Sequence, residues 1–386
     1  MSDRGAVGDA RIRAFDLARG LAIAFMVAVH VLGHYGDDAS WTSPLGAAVI
    51  VLGGPTAAPV FMFLMGASLA FSRRASAGGI ARRGLWLLFL AYTLNVLRGA
   101  LPASLGLVTG YVTEADIWPY TVPTLLTLVD IHQMAGLALL VIAGLVALAT
   151  ATRGVVGAAG VDLRPVLVGL AIVVGLASPV LWGVATGNGA LDLAAALLWG
   201  TDWNVFFPLF PWLAYPLLGF AYGRTLVTRP DRRRFVRRMG LVGVAVMAVG
   251  AAVIVAGYGA IGVEDYWRQR PGILLAIVGL VLAWLALADV VVSRVRPNAV
   301  FDRLYAWSAR VTPMYCIHWI LIGWGVGLLG HRETGLGGAA LAFVVILVLT
   351  DRITTIVPLL RGRRAEAPLT EEAPPALAGP ALAGGG

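Results

Sequence analysis

Lysine is absent from this chain: all 29 basic residues are arginine. That excludes a lysine Schiff base, a lysine general base and a phosphate loop ending in lysine. Cysteine is almost as scarce. Cys316 stands alone, so an internal disulfide, a thiolate zinc site and an iron–sulfur cluster are excluded as well. Charge of either sign is thin, with 13% charged residues against 59% hydrophobic and a mean hydropathy of +0.83. An ordinary soluble globule carries roughly 25% charged residues, so lipid is the expected solvent here.

Apolar runs long enough to cross a bilayer as helices recur along the sequence. Ten are expected, at roughly 14–33, 46–72, 83–101, 122–149, 165–186, 205–226, 239–259, 272–293, 309–330 and 337–358. The polar start and the lack of a small-residue cleavage site argue against a cleaved leader. The fold class expected is an all-α integral membrane bundle of about ten transmembrane helices, one domain over 1–360. Residues 361–386 are rich in Ala, Pro and Gly and read as a disordered tail.

The arginines sort across these spans. Of the 29, 25 fall before the first span, in alternate loops or after the last, leaving Arg98, Arg268, Arg270 and Arg332 for the other side. The positive-inside rule then puts both termini in the cytoplasm of a bacterial-type plasma membrane. The same distribution accounts for the net charge of +8 without nucleic acid, since the arginines orient the chain and meet anionic lipid headgroups. Oligomeric state is left open, a homodimer included.

Arg19 and His30 lie eleven residues apart on the first span. At about 100° and 1.5 Å per residue, eleven steps return to nearly the same helix face about 16 Å further along. Ionisable groups at membrane depth are expensive and mark functional sites by default. The pair suggests a device that grips an anion at one end and moves a proton further in, with a passage joining the two. Arg19 also has a simpler reading as a snorkelling boundary residue paired with Asp16. His34, one turn beyond His30, is an alternative base. His30 and His34 also have the spacing of two metal ligands on a helix, with Asp37 or Asp38 to complete a set, although no metal is expected. Arg82, Arg83 and the Arg232–Arg238 run add to the cytoplasmic positive patch.

Asp130, His132 and Gln133 open the fourth span, Tyr315 and His318 share the ninth, and Asn95 and Arg98 lie on the third. With Asp16 they are candidates for lining a substrate cavity. The outward loops are acidic (Asp37, Asp38, Glu114, Asp116, Asp192, Asp202, Glu264 and Asp265), which favours an amine-bearing or neutral partner, or reflects acidic residues avoiding the inner side. Buried His, Arg and Asp also build proton-coupled transporters. Residues 1–190 and 191–386 show no convincing internal repeat of the kind such folds use.

The motif Arg-x-x-x-x-Asp-x-x-Arg-Gly from Arg11 to Gly20, followed by Met26 and His30, resembles the opening of the heparan-α-glucosaminide N-acetyltransferase type of membrane acyltransferase. Those enzymes are distant relatives of the acyltransferase-3 proteins, whose Arg-x10-His signature Arg19 and His30 fit in spacing. Four further stretches resemble family segments in order: Pro59 to Ser68, Ile131 to Gly136, Phe207 to Trp212 ahead of Gly219 and Gly223, and Met314 to Trp319. The resemblance runs from residue 11 to about residue 320. Where the heparan-type pattern has asparagine this chain has His30. The family histidine that precedes Ala-Ser-Trp is replaced by Asp38 before Ala39-Ser40-Trp41, and a family arginine is Met134. The resemblance implies transfer of an acyl group, most simply acetyl, from acyl-CoA (acetyl-CoA) on the cytosolic side to an amine or hydroxyl of a glycan-like or lipid-linked acceptor beyond the membrane. His30 or His34 would be the catalytic base with Asp38 nearby, and Arg19, Arg82 and Arg83 would hold the cofactor phosphates.

Overall fold

The computed structural model describes residues 12–72, 76–152, 161–200, 202, 204–257 and 264–360; the tail expected over 361–386 lies outside them. Helix dominates, and among the described residues no strand forms beyond two isolated bridges, Gly36 with Thr334 and Val129 with Val205. Within the described residues eight helices are long and apolar enough to cross a membrane: Arg13–Tyr35, Pro44–Leu69, Ala77–Thr109, Ile131–Ala151, Leu163–Leu181, Arg232–Gly257, Pro271–Arg294 and Leu336–Ile356.

The differences from ten uniform spans have local causes. The second span is two helices, Pro44–Gly53 and Ala58–Leu69, because Gly53, Gly54 and Pro55 interrupt it. The third passes through a π-helical turn at Val96–Ala100 and continues to Thr109. The fourth begins at Ile131 rather than residue 122. A short helix, Val122–Thr127, precedes it, and Leu128–Asp130 run extended into an Asp130 cap. The sixth shrinks to Ala214–Val227, since Pro208 and Pro211 lack the N–H that a helical ladder needs. The ninth, Val311–Leu329, is short in its apolar stretch, Val311–Val326.

The first helix occupies the middle of the bundle. It packs against the helices at 44–53, 58–69, 271–294, 299–308, 311–329 and 336–360. Ala18, Ala22, Ile23, Val27 and Tyr35 on it are fully buried, and the Tyr35 hydroxyl donates to the Ile322 carbonyl at 2.8 Å. Glycine sets two close crossings. A Cβ at Gly219 would strike the backbone of Phe63, and one at Gly323 would strike the carbonyl of Arg98. The second crossing is what brings the ninth helix against the π-turn. Around this core the outer helices expose large apolar residues, among them Leu85, Trp86, Phe89, Leu241 and Val255, as a lipid-facing surface requires.

Charges near the helix ends are paired. Asp289 meets Arg237 at 2.8 Å, and Asp351 meets Arg303 at 2.9 Å and Arg310 at 3.1 Å. At the opposite end of the first helix, residues 330–335 lie across its C-terminus. Arg332 N–H donates to the His34 carbonyl and Thr334 N–H to that of Tyr35, each at 2.8 Å, while Asp37 N–H donates to the Thr334 carbonyl at 2.8 Å.

Candidate active site

A cavity of about 350 Å³ enters the bundle between the first helix, the Ala58–Leu69 helix and the helices at 77–95, 131–151 and 311–329. Arg19, Ser68, Arg83 and Ser308 line it together with Met62, Met65 and Leu87, and it reaches His132 and Tyr315. Arg19 is held in place from three directions. It donates to the Leu64 carbonyl at 3.1 Å and to the Ser68 hydroxyl, and it faces Asp16 at 3.6 Å. Asp16 in turn accepts from the Ser308 hydroxyl at 2.8 Å. Arg83 lines the cavity and Arg82 does not.

Behind His132 and Tyr315 lies a buried ionic cluster. Arg98 and Asp130 approach to 2.6 Å, and the Tyr315 hydroxyl donates to the same carboxylate oxygen at 2.8 Å. The other oxygen accepts Ile131 N–H at 2.7 Å and caps the helix, while Gln133 Oε1 accepts Asp130 N–H at 3.1 Å. Non-helical backbone inside a membrane bundle must find every hydrogen bond within the protein. Here Gln133 donates to the Leu128 carbonyl at 2.9 Å, and Asn95 donates to those of Leu128 at 2.7 Å and Leu126 at 3.1 Å. Arg98 also donates to Asn95 Oδ1 at 3.3 Å and covers the Trp319 ring at 4.5 Å. Asp130, Gln133 and Asn95 thus build the wall of the cavity rather than its surface.

All five histidines of the chain fall along one path. His132 stands edge-on to Tyr315 with ring centres 4.4 Å apart, its Nδ1 buried with no hydrogen-bond partner. Tyr315 meets His318 at 5.3 Å. His318 is fully buried and stacks on His30 at 5.2 Å with planes 6° apart. Its Nε2 lies 2.9 Å from His30 Nδ1, and its own Nδ1 lies 3.0 Å from the Met314 carbonyl. Trp319 packs on His30 at 4.2 Å and edge-on to His34 at 5.2 Å, and His34 meets His331 at 5.8 Å. His30 and His34 are half-buried.

Several expectations change here. The lining of the cavity includes Tyr315 but not His30, and His318 touches both of those rings. Asp38 is exposed and ion-paired with Arg332 at 2.7 Å. Asp37 accepts from Ser40 N–H at 2.7 Å to cap a short helix, which holds its carboxyl below the usual range. Among the described residues no group of three His, Cys, Asp or Glu side chains could hold a metal ion. Ser68, Ser308 and Trp319 were not foreseen as parts of the site, whereas Arg98 was among the candidates. Arg98 had a signal, as the one arginine inside the span that leads to an otherwise arginine-poor side.

Comparison with known families finds a match. The family model described as heparan-alpha-glucosaminide N-acetyltransferase, catalytic, matches residues 11–251. No curated protein sequence matches the chain. The matched region covers well over half of the sequence, including the whole first helix, Arg83 and the Asp130–Gln133 cap. With an all-helical membrane fold around it, the chain belongs to the heparan-alpha-glucosaminide N-acetyltransferase catalytic family, a family of acetyl-transferring enzymes.

Proposed function

We propose that this membrane acetyltransferase takes its acetyl group from acetyl-CoA at the cavity mouth and delivers it to an amine or hydroxyl of a glycan-like or lipid-linked acceptor arriving from the opposite face. The observation that carries this reading is the cavity itself, with Arg19 and Arg83 among its lining and His132 with Tyr315 at its inner end. Its volume lies in the range of small-ligand clefts and suits an acyl-pantetheine arm, with the nucleotide outside. Arginine forks suit phosphate oxygens, and the apolar walls of Met62, Met65 and Leu87 suit the arm. The arginine-rich side is taken as cytoplasmic, which places both termini and the cavity mouth there. Residues 1–360 form the single catalytic domain of this reading.

The chemistry balances without an added reactant. The acceptor nitrogen or oxygen attacks the thioester carbonyl, the C–S bond breaks, and the proton lost by the acceptor ends on the coenzyme A sulfur. A histidine receives that proton in transit, a role an imidazole fills near neutral pH. His30 is favoured over His34 because a hydrogen bond anchors its ring, whereas His34 meets its neighbours through ring edges. His132 faces the thioester and is placed to polarise its carbonyl.

The test is transfer of labelled acetyl from acetyl-CoA to amino sugars by purified protein in nanodiscs, with free thiol released in equal amount. Arg19→Ala and Arg83→Ala are expected to raise the KM for acetyl-CoA about tenfold each, the effect of about 1.4 kcal/mol per lost phosphate contact. Arg82→Ala serves as the control outside the cavity. If acetyl-CoA survives with every acceptor while proteoliposomes take up a small polar solute against a proton gradient, the chain is a transporter and the proposal fails.

A further inference from the structure

We infer that His318 is a positioning residue, which holds His30 in the Nδ1–H tautomer and leaves its Nε2 as the proton acceptor; this deepens the acetyl-transfer reading and rests on it. The assignment follows from donors and acceptors. The Met314 carbonyl can only accept, so the 3.0 Å contact puts a hydrogen on His318 Nδ1. In a neutral ring its Nε2 is then a lone pair, and the 2.9 Å contact must be filled by a hydrogen on His30 Nδ1. The bare nitrogen of His30 is therefore Nε2, the opposite of what free histidine prefers. A cationic His318 would reverse the contact and a cationic His30 would fill its own Nε2, but the nearby carboxylate that could balance either charge, Asp130, is committed to Arg98, Tyr315 and the Ile131 N–H.

The pair has a front and a back. His318 is fully buried, while His30 is half-buried with Trp319 against its face. A base needs its free nitrogen toward the acceptor and its other nitrogen pinned by a partner that does not move. His318 supplies the pin, and its Met314 bond keeps that ring from rotating. His34 has no such partner, since Trp319 and His331 touch it edge-on.

The experiment is 15N NMR of the full-length protein in nanodiscs with labelled histidine, the five residues assigned by single His→Gln variants. His30 is expected with Nδ1 protonated and Nε2 bare at neutral pH. His318→Gln keeps an amide oxygen near the Nε2 position, so it should preserve that tautomer. His318→Leu removes the acceptor, and His30 should shift to the Nε2–H form. The parallel kinetic result is a kcat about 100-fold lower in His318→Leu, within the usual range for general base catalysis, with KM for acetyl-CoA within about twofold. His318→Gln should recover most of the loss, which a purely structural role would not produce, and it keeps the buried site polar and folded. Nε2–H at His30 in the unaltered protein overturns the inference. So does a His318→Leu variant whose tautomer switches while kcat stays the same. A protein with the expected tautomer but no acetyl transfer overturns the function instead, so the two failures are distinguishable.

Discussion

Removing Arg98 is the most demanding test of the wall behind the cavity. Arg98→Met keeps much of the side-chain length but leaves Asp130 charged, buried and without its 2.6 Å partner. Both side chains are about nine-tenths buried, so solvent screening contributes little. Breaking a buried pair by deleting one partner costs about 3–5 kcal/mol, mostly from the stranded charge. The lost Arg98–Asn95 hydrogen bond and Trp319 contact add to this. If the stranded charge dominates, neutralising it should repair the damage. Arg98→Met with Asp130→Asn should therefore be more stable than Arg98→Met alone by about 2 kcal/mol or more, although the asparagine loses an ionic cap. Tyr315→Phe, which deletes one hydrogen bond to the carboxylate, should cost about 1.5–3 kcal/mol. The assay is an SDS-unfolding titration in mixed micelles, read by helical circular dichroism. A destabilisation below about 1 kcal/mol for Arg98→Met, or a double variant worse than the single, would refute the argument that this pair supports the unwound Leu128–Asp130 segment.

His132→Leu is expected to lower kcat for acetyl transfer about 100-fold while leaving the fold intact, because its Nδ1 makes no hydrogen bond that folding could lose; unchanged turnover would remove it from the reaction. Burial and the neighbouring Arg332 push the His331 imidazole below its ordinary value. The unfolded chain then binds the extra proton first, so this contribution to stability is complete above about pH 6.5 and declines as pH falls below it. His331→Gln should flatten that decline in thermal unfolding curves between pH 5 and 7, and identical curves would count against it. Gly219→Val places a branched side chain against the Phe63 backbone. It should sharply reduce the yield of monodisperse protein on size exclusion, whereas Gly144→Val, with open space around it, should not.

Much of the architecture was legible because lipid makes it so: apolar length marks a span. What escaped was the irregular backbone. A run such as Val122 to Ala149 reads as one helix by hydropathy, yet Pro123 and the Asp130–Gln133 capping box divide it, and only the tertiary partners Asn95 and Arg98 make the unwound part tolerable. The site divides in the same way. Arg19 and His30 share a helix, so their common face could be computed from spacing. Whether a passage joins them depends on Tyr315 and His318, nearly 300 residues away, and no local pattern encodes their placement. Arg98 was visible as a misplaced charge, but its partner Asp130 could have been assigned to solvent equally well.

The strap at residues 330–335 bears on how such a chain is made. The first helix leaves the ribosome early, yet the carbonyls at its far end find their donors in Arg332 and Thr334, and His30 finds its anchor in His318. The helix at 13–35 is thus completed by a hairpin some 300 residues further along the chain. On the proposed reading, a chain halted before that hairpin holds Arg19, Arg83 and His132 but lacks the partner that pins His30.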